Sequence, residues 1–243
     1  MWPECRFGGE EIRQVECELC GGNKKLVSIR ACSVFGECSE SHFTLPRKIE
    51  VCSPLCKHRR LVNMAETEKS FDRRTREGWF ERYIAAPVID IGCSTDPITN
   101  DCRRYDRDLG DGDCTFCRDI ADELYQTVYA SHVLEHVYHP LTAIQNWVRI
   151  LKPGGRLIVC VPHRDLYEKR QLLPSRWNGE HKTFWLPFKM DPPNTFSLFH
   201  TVEQADSSLT IESIRVLDDG YSSNGDEHSS GEYSIELIAR KPQ

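Results

Sequence analysis

The first residues with evident chemistry are cysteines, which crowd the N-terminal part of the chain. Seven of the 12 cysteines fall within the first 56 residues. Cys17 and Cys20 form a C-x2-C pair that precedes two glycines, and Cys52 and Cys56 supply a second pair. Two such pairs can place four thiolates around one tetrahedral ion, and a short segment with few apolar residues needs a metal for stability. The spacing therefore predicts a structural zinc site.

The remaining cysteines of this segment leave the number of ions open. Cys5, Cys32 and Cys38, with His42 or His58, have the donor types for a second site. An iron–sulfur cluster uses the same thiolate ligands, and free thiols in a small core are the alternative without a metal. Disulfides are disfavoured, because no basic and then apolar leader marks the chain for secretion.

A second group of polar residues follows short apolar runs farther along the chain. Thr127–Ala130 is β-prone and gives way to the polar pair Ser131-His132. Apolar residues then recur at helical spacing until a Lys-Pro-Gly-Gly turn at 152–155, and Arg156–Val161 is again strand-like. Strand, crossover helix and strand in this order predict a parallel sheet. The apolar residues at helical spacing are Leu141, Ile144, Trp147, Val148 and Leu151.

An apolar run at Val88–Ile91 leads directly into Gly92, the kind of strand-to-glycine turn at which an open α/β sheet binds a nucleotide. Three stretches, VIDIGCS, SHVLEH and ILKPGGRLIVCVPHRDLYE, occur in this order. Together they resemble the class I S-adenosylmethionine-dependent methyltransferases. The resemblance implies an α/β fold with a doubly wound, Rossmann-like, seven-stranded sheet over residues 85–243. A linker helix at 61–84 and the small metal-knuckle module at 1–60 would precede it.

The resemblance also implies where the cofactor S-adenosylmethionine binds. Asp90 and Gly92, with Cys93 and Ser94, match the family's cofactor loop, although the family prefers further glycines where this chain has Ser94 and Asp96. The acidic residue that accepts hydrogen bonds from the ribose hydroxyls is matched by Asp106, with Asp108 as its rival. The other implied cofactor contacts are Asp113 and Cys114 at the adenine, and Ser131 and His132 after the predicted strand Thr127–Ala130.

A stretch after the predicted strand Arg156–Val161, HRDLYEKRQLLPSRWNGEHKTFW, resembles bacterial methyltransferase-like proteins linked with polysaccharide biosynthesis. This likeness implies a small-molecule acceptor, with a sugar or glycan precursor as one candidate. We expect His132 or His163 to take the proton of a hydroxyl acceptor, because imidazole titrates near neutral pH. The expected acceptor-binding residues are Arg164, Tyr167, Arg176, His181 and Lys182.

The SHVLEH stretch has a competing interpretation. His132, Glu135 and His136 fit H-x-x-E-H, a zinc-peptidase signature in which both histidines and the glutamate share one helix. Pro140 interrupts any long helix here, and the neighbouring strand and glycine turn fit a methyltransferase instead. The plainer alternative is that Glu135 and His136 are partly buried polar groups that hold a turn. Cys114-x2-Cys117 is likewise interpreted as two buried thiols rather than a metal or redox pair.

Composition limits the remaining classes of function. The chain has 243 residues, a net charge of −6, 39% hydrophobic and 28% charged residues, which is typical of a folded soluble protein. The acidic balance disfavours a general nucleic-acid binder. The sequence contains no run of about 18 apolar residues, so it predicts no membrane span. We therefore expect a cytoplasmic protein. Two alternatives to a small-molecule enzyme stay open, a degenerate scaffold with a methyltransferase fold and an enzyme that modifies RNA.

The flanking segments complete the predicted architecture. Leu61–Arg82 alternates acidic and basic residues, which predicts a helix with one solvated face. Between Gly92 and Asp113 the chain is too short for the second helix that is usual in the methyltransferases it resembles. Leu209–Val216 and Tyr233–Arg240 alternate apolar and polar residues and predict two late antiparallel strands.

Overall fold

The computed structural model describes the backbone of residues 11–16, 23–28 and 50–51, together with residues 66–222 and 229–243. The chain divides into two compact units, residues 1–63 and 64–243. In the first unit, β1 (Glu11–Glu16), β2 (Asn23–Ser28) and β3 (Glu50–Val51) form an antiparallel sheet in the order β1-β2-β3. The predicted metal ligands lie outside the described residues: Cys5, Cys17, Cys20, Cys32, Cys38, Cys52 and Cys56, with His42 and His58.

The second unit is built on a mostly parallel sheet of six strands. β4 (Val88–Ile91), β5 (Arg103–Tyr105), β6 (Tyr125–Ser131) and β7 (Leu151–Pro162) run parallel to one another. β10 (Thr210–Leu217) and β11 (Ser234–Arg240) complete it with antiparallel pairing, in the order β10-β11-β7-β6-β4-β5. A separate pair, β8 (Phe184–Leu186) and β9 (Thr195–Ser197), lies after β7. The two late strands occur where the sequence predicts them.

The prediction of seven strands is corrected to six within the described part of the chain. Residues 106–124, between β5 and β6, contain turns and one 3-10 turn at Arg107–Leu109 rather than a further strand. A parallel crossover takes a dozen or more residues. Two crossovers and an extra strand do not fit in this segment, so β5 forms the edge of the sheet.

The helix that follows β6 shows why the local sequence folds as it does. Helix α3 (Pro140–Arg149) starts with a proline at its first position, where no backbone N–H is needed. Its apolar residues Ala143, Ile144, Trp147 and Val148 are buried against the sheet. β7 begins earlier than the sequence predicts, at Leu151, and the Lys-Pro-Gly-Gly segment interrupts its pairing with β6, since Tyr125 pairs with Leu151 but Thr127 pairs with Arg156.

Two helices, α1 (Glu66–Arg76) and α2 (Trp79–Tyr83), fall within the predicted linker and are part of the second compact unit. Gly78, with φ of 61°, separates them. The expectation of a solvated charged face is wrong at Arg73 and Arg74, which are both buried. Arg73 pairs with Glu232 at 2.7 Å. Both arginines can be buried because acidic groups that are distant in sequence neutralise their charges.

Arg74 is the most deeply buried of these charges. Its guanidinium donates to Glu236 Oε2 at 2.9 Å and to the Tyr129 hydroxyl at 2.9 Å, and it stacks over the Trp79 ring at 4.3 Å. Glu236 and Tyr129 belong to strands β11 and β6. Helix α1 is therefore fixed to the sheet by charge as well as by apolar contact.

Both faces of the sheet carry an apolar core. One core includes Val128, Leu157 and Leu237 of the strands and is covered by α3 and by α4 (Leu198–Ala205). The smaller core on the other face contains Trp79 of α2 with alternating strand residues such as Ile158. Among the described residues, no helix is long and apolar enough to cross a membrane.

Candidate functional site

An open cleft of about 910 Å³ lies at the carboxyl ends of β4, β5 and β6. Ligands of open α/β sheets bind outside these strand ends. Six of the site residues predicted from the sequence line the cleft. They are Gly92, Asp106, Asp113, Cys114, His132 and Lys182.

Gly92 forms the floor of the turn after β4. Its φ is +73°, a left-handed conformation that side chains with a Cβ adopt at a cost. A Cβ at this position would overlap Val133 Cγ2 and lie 3.3 Å from Val133 Cγ1. The Gly92 amide donates to the carbonyl of Tyr105 at 2.8 Å, which joins the turn to β5. Both the backbone and the packing therefore require glycine here.

The loop after Gly92 keeps a glycine-like backbone without glycine. Ser94, where the methyltransferases prefer glycine, has φ of +45°. Its amide donates to Asp106 Oδ2 at 2.8 Å, and the Arg104 guanidinium contacts its carbonyl oxygen. The chain thus holds the loop by polar contacts from the end of β5.

Asp90, in β4, and Cys93, within the loop, are not among the residues that line the cleft. Asp90 is 1% exposed and accepts a 2.6 Å hydrogen bond from the Ile98 amide. Burial raises the pKa of Asp90 to about 8, although the Ile98 amide opposes the shift. Cys93 is buried, and burial raises the pKa of its thiol. Both residues therefore contact the loop instead of an open surface.

Beside the Gly92 turn the cleft lining contains Asp106, Asp108, Asp111 and Asp113, which together form an acidic wall. Asp106 accepts hydrogen bonds from the Asp108 amide at Oδ1 and from the Ser94 amide at Oδ2, both at 2.8 Å. A carboxylate has about four lone-pair sites, so both oxygens retain capacity for further donors such as hydroxyl groups. Asp108, Asp111 and Asp113 line the same side of the cleft. This wall favours a ligand that carries hydroxyl groups and positive charge.

Next to Asp113 the cleft lining continues with neutral residues. Cys114 lies between Asp113 and Thr115 in the cleft lining, and its carbonyl accepts a hydrogen bond from the indole N–H of Trp147 at 2.8 Å. Burial raises the pKa of Cys114 to about 11 and that of Cys117 to about 12, so both are thiols at neutral pH. Asp113 Oδ1 accepts from the Thr115 amide at 2.7 Å and fixes the turn.

His132 enters the cleft from the end of β6, directly after Ser131. It has φ of +54°, and its amide donates to the Cys160 carbonyl at 2.9 Å. Its Nε2 lies 2.8 Å from Ser234 Oγ. Burial lowers the pKa of His132 to about 4, so the ring is neutral at pH 7. The residues that follow, Leu134–His136, form one 3-10 turn rather than the long helix of a zinc peptidase.

Behind His132 lies a cluster that the sequence indicates only in part. The Glu135 side chain is completely buried, and its Oε1 lies 3.6 Å from His132 Nδ1, 3.8 Å from His136 Nε2 and 4.0 Å from His181 Nε2. His181, predicted as an acceptor-binding residue, is 5% exposed and pairs through Nδ1 with Glu168 at 2.6 Å. The H-x-x-E-H spacing was the signal for the first three residues, whereas Glu168 carried none.

The other predicted acceptor residues lie after β7. The Arg164 guanidinium is buried and paired with Asp165 at 2.8 Å and Asp191 at 2.9 Å. His163 Nδ1 accepts from the Asp165 amide at 3.1 Å, and burial lowers the pKa of His163. Neither His163 nor Arg164 is among the residues that line the cleft.

Three further predicted residues lie close to aromatic rings. The Tyr167 ring stacks on His181 with the centroids 5.4 Å apart, and the Arg176 guanidinium lies 4.7 Å from the Trp177 ring centroid. Lys182 lines the cleft, where its Nζ lies 5.6 Å from the ring centroid of the exposed Tyr138. Sequence reasoning did not select Tyr138, because an isolated tyrosine in a loop has no distinguishing pattern.

Comparisons with solved structures show similar chains at low identity. A methyltransferase of Thermotoga maritima, named as a possible histamine N-methyltransferase, is 17% identical over 73% of this chain and 100% of that chain, with a TM-score of 0.43. An S-adenosylmethionine-dependent methyltransferase of Aquifex aeolicus is 14% identical over 76% of this chain and 97% of that chain, also with a TM-score of 0.43. For one of Methanosarcina mazei the identity is 16%, over 68% of this chain and 97% of that chain, with a TM-score of 0.44.

Because these TM-scores are all below 0.5, the family of the chain is assigned from its sequence and not from these structures. Curated proteins give no match. The family model described as a methyltransferase domain matches residues 56–188, more than half of the chain. The match spans the Gly92 turn, the acidic wall and the crossover helix α3. The chain therefore belongs to this methyltransferase domain family and is an S-adenosylmethionine-dependent methyltransferase.

Proposed function

We propose that the cleft holds S-adenosylmethionine between the Gly92 turn and the acidic wall, and that the acceptor is a small polar molecule, for which a sugar or glycan precursor is the leading class. The observation that carries the proposal is that the glycine turn and Asp106 lie next to each other in the lining of one cleft. Five acidic and two basic residues line that cleft, which suits a ligand with a sulfonium cation. When bound, this ligand supplies a methyl group that is already activated for displacement.

The residues present fit such a ligand position by position. Gly92 offers a surface without a side chain, so that a methionine group can approach the backbone closely. Asp106 has free lone pairs for ribose hydroxyls, and Asp108 lies beside it as the alternative acceptor. Asp113 and Cys114 border the region proposed for adenine. The protein's task is then to orient donor and acceptor in line.

The acceptor side of the cleft is polar with one broad aromatic face. Tyr138 is 74% exposed, and Asn178, Glu180 and Lys182 lie along the same lining. An aromatic face beside amide, carboxylate and ammonium groups suits a hydroxylated or acidic ring. Lys182 is a better candidate than Arg164 to pair with an acidic acceptor, because the Arg164 guanidinium already has two carboxylate partners.

The proposed proton acceptor is His132, with His163 as the alternative. His132 lines the cleft and is neutral at pH 7, as a base must be, although a pKa of about 4 makes it a weaker base than an ordinary histidine. We expect His132→Gln to lower turnover while the dissociation constant for S-adenosylmethionine changes little. The same result for His163→Gln would move the role to that residue, and unchanged turnover in both would remove histidine from the mechanism.

Calorimetric titration of the full chain with S-adenosylmethionine and S-adenosylhomocysteine tests the cofactor proposal. Asp106→Asn should weaken binding by about 10–100-fold, because a charge-assisted hydrogen bond contributes about 1.5–3 kcal/mol. Asp108→Asn tests its rival, and Asp218→Asn changes an exposed acid outside the cleft lining as the control. A folded protein that binds neither ligand would favour the scaffold alternative.

For the N-terminal unit, the proposal is a structural zinc site formed by Cys17, Cys20, Cys52 and Cys56. Its support is the spacing of these cysteines in the sequence. Native mass spectrometry of the intact chain would give the number of bound zinc ions. A chain without metal but with a full set of reactive thiols would contradict the site.

A further inference from the structure

The cluster around Glu135 has the geometry of a metal site that the methyl-transfer chemistry does not require. One ligand atom from each of Glu135, His136 and His181 lies within 4.8 Å of the other two. Two ligands bound about 2.1 Å from a tetrahedral ion lie about 3.4 Å apart. The distances from Glu135 Oε1 to the nearest nitrogens of His136 and His181, 3.8 Å and 4.0 Å, are close to this separation and too long for hydrogen bonds.

The Glu135 carboxylate has no hydrogen-bond partner in the described part of the chain. Its side chain is completely buried, and neither Oε1 nor Oε2 has a hydrogen-bond partner there. A buried carboxylate without partners is costly, and such groups in folded proteins point to an ion or a water molecule.

The surrounding contacts orient both histidines for coordination. His136 Nδ1 lies 3.3 Å from the Glu180 carbonyl, and His181 Nδ1 lies 2.6 Å from Glu168 Oε1. Each contact places the ring proton on Nδ1 and leaves the lone pair of Nε2 directed to Glu135. Metal-binding histidines are held in this way by a carbonyl or a carboxylate. Glu168 is itself fixed by the Ser175 hydroxyl at 2.6 Å.

Backbone contacts bring the two parts of the cluster together. The Glu135 carbonyl accepts hydrogen bonds from the amides of Lys182 at 2.7 Å and Thr183 at 3.2 Å. These contacts hold the segment that carries His181 against the 3-10 turn that carries Glu135 and His136. The site is therefore built from two segments that are fixed to each other independently of any ion.

We propose that Glu135, His136 and His181 bind one divalent first-row transition-metal ion, such as Zn²⁺ or Mn²⁺, at the wall of the cleft. Two imidazoles and one carboxylate suit these ions better than Ca²⁺ or Mg²⁺, which prefer oxygen donors throughout. His132, whose Nδ1 lies 3.6 Å from Glu135 Oε1, is not counted as a ligand, because it is the proposed proton acceptor. His132 and His136 both line the cleft, so the ion lies beside the region proposed for the acceptor.

Electron paramagnetic resonance of Mn²⁺ tests this site separately from the N-terminal cysteines, because thiolates are poor ligands for Mn²⁺. The full chain, stripped with a chelator, should bind one equivalent of Mn²⁺. Glu135→Gln and His181→Gln should each lose that equivalent, and Glu168→Gln, which alters a contact behind the ligand, should weaken it by about 10–100-fold. His200→Gln changes an exposed histidine outside the cluster and should bind as the wild type does.

Circular dichroism and calorimetry with S-adenosylmethionine accompany each titration. They separate loss of the ion from loss of the fold, and failure of the metal site from failure of the proposed cofactor site. Two results would overturn the site: a folded wild-type chain that binds no Mn²⁺, or folded Glu135→Gln and His181→Gln variants that bind it with wild-type affinity. The second result would assign the ion to the acidic wall, which both variants retain.

Discussion

Substitution of Gly92 by alanine tests whether the turn after β4 is as tightly constrained as the structure indicates. Two costs add at this position. A Cβ at φ of +73° costs about 1–2 kcal/mol, as left-handed backbone does for residues other than glycine. The overlap with Val133 Cγ2, with further atoms at 3.2 Å and 3.3 Å, adds about 1–3 kcal/mol of overpacking. We expect a total loss of about 2–5 kcal/mol in the free energy of unfolding.

Two other glycines separate these costs. Gly110 has φ of +86° and open space around its Cβ position, so Gly110→Ala should cost only the backbone term, about 1–2 kcal/mol. Gly179 has neither a positive φ nor a neighbour within 4 Å, so Gly179→Ala should be nearly neutral. The double variant Gly92→Ala with Val133→Ala removes the overlapping methyl groups and should recover most of the packing cost.

Urea unfolding followed by circular dichroism measures these four variants and the single variant Val133→Ala, and calorimetry gives their affinity for S-adenosylmethionine. Because Val133→Ala removes the overlapping methyl groups, Gly92→Ala should cost less free energy of unfolding in the Val133→Ala background. An equal cost in both backgrounds would refute it, and a cost no larger than that of Gly179→Ala would refute the whole account of the turn.

Two further predictions concern the same loop. The pKa of Asp90, about 8 when folded against an ordinary 3.8, means that its stabilising contribution is complete below pH 4 and is lost as the pH rises to 8. Between pH 4 and pH 7, the free energy of unfolding of Asp90→Asn should therefore rise by about 4 kcal/mol relative to that of the wild type, at about 1.4 kcal/mol per pH unit. Urea unfolding that gives the same difference between the two proteins at every pH would disprove this. Ser94→Gly should raise the free energy of unfolding by about 0.5–1 kcal/mol, because the strain at φ of +45° exceeds the added entropy of glycine; a lower midpoint in the same assay would contradict it.

The fold was predictable where a pattern is local. The alternation at β10 and β11 and the helical spacing in α3 each reflect one element lying on the sheet, and the structure confirms these elements to within one or two residues. The burial of Arg74 was not predictable, since its partner Glu236 lies 162 residues along the chain. A charged helix with distant partners has the same sequence pattern as a solvated one.

The site divides in the same way. Gly92 and Asp106 follow strands directly, so the topology of a parallel sheet brings them to one cleft, as the structure shows. The histidine and glutamate spacing in SHVLEH was visible, but its relation to His181 depends on backbone contacts from residues 182 and 183. Sequence alone could not indicate that the carboxylate of Glu135 faces three imidazoles.

The short strand β5 has a consequence for how molecules of this enzyme behave toward one another. It pairs with β4 on one side, and no described strand pairs with its other side. An open strand edge invites addition of strands from a neighbouring molecule, which leads to aggregation. This edge is only three residues long, and it carries the exposed side chain of Arg104 and that of Arg103, which pairs with Asp119 at 3.4 Å. A short edge with charged side chains discourages edge-to-edge assembly.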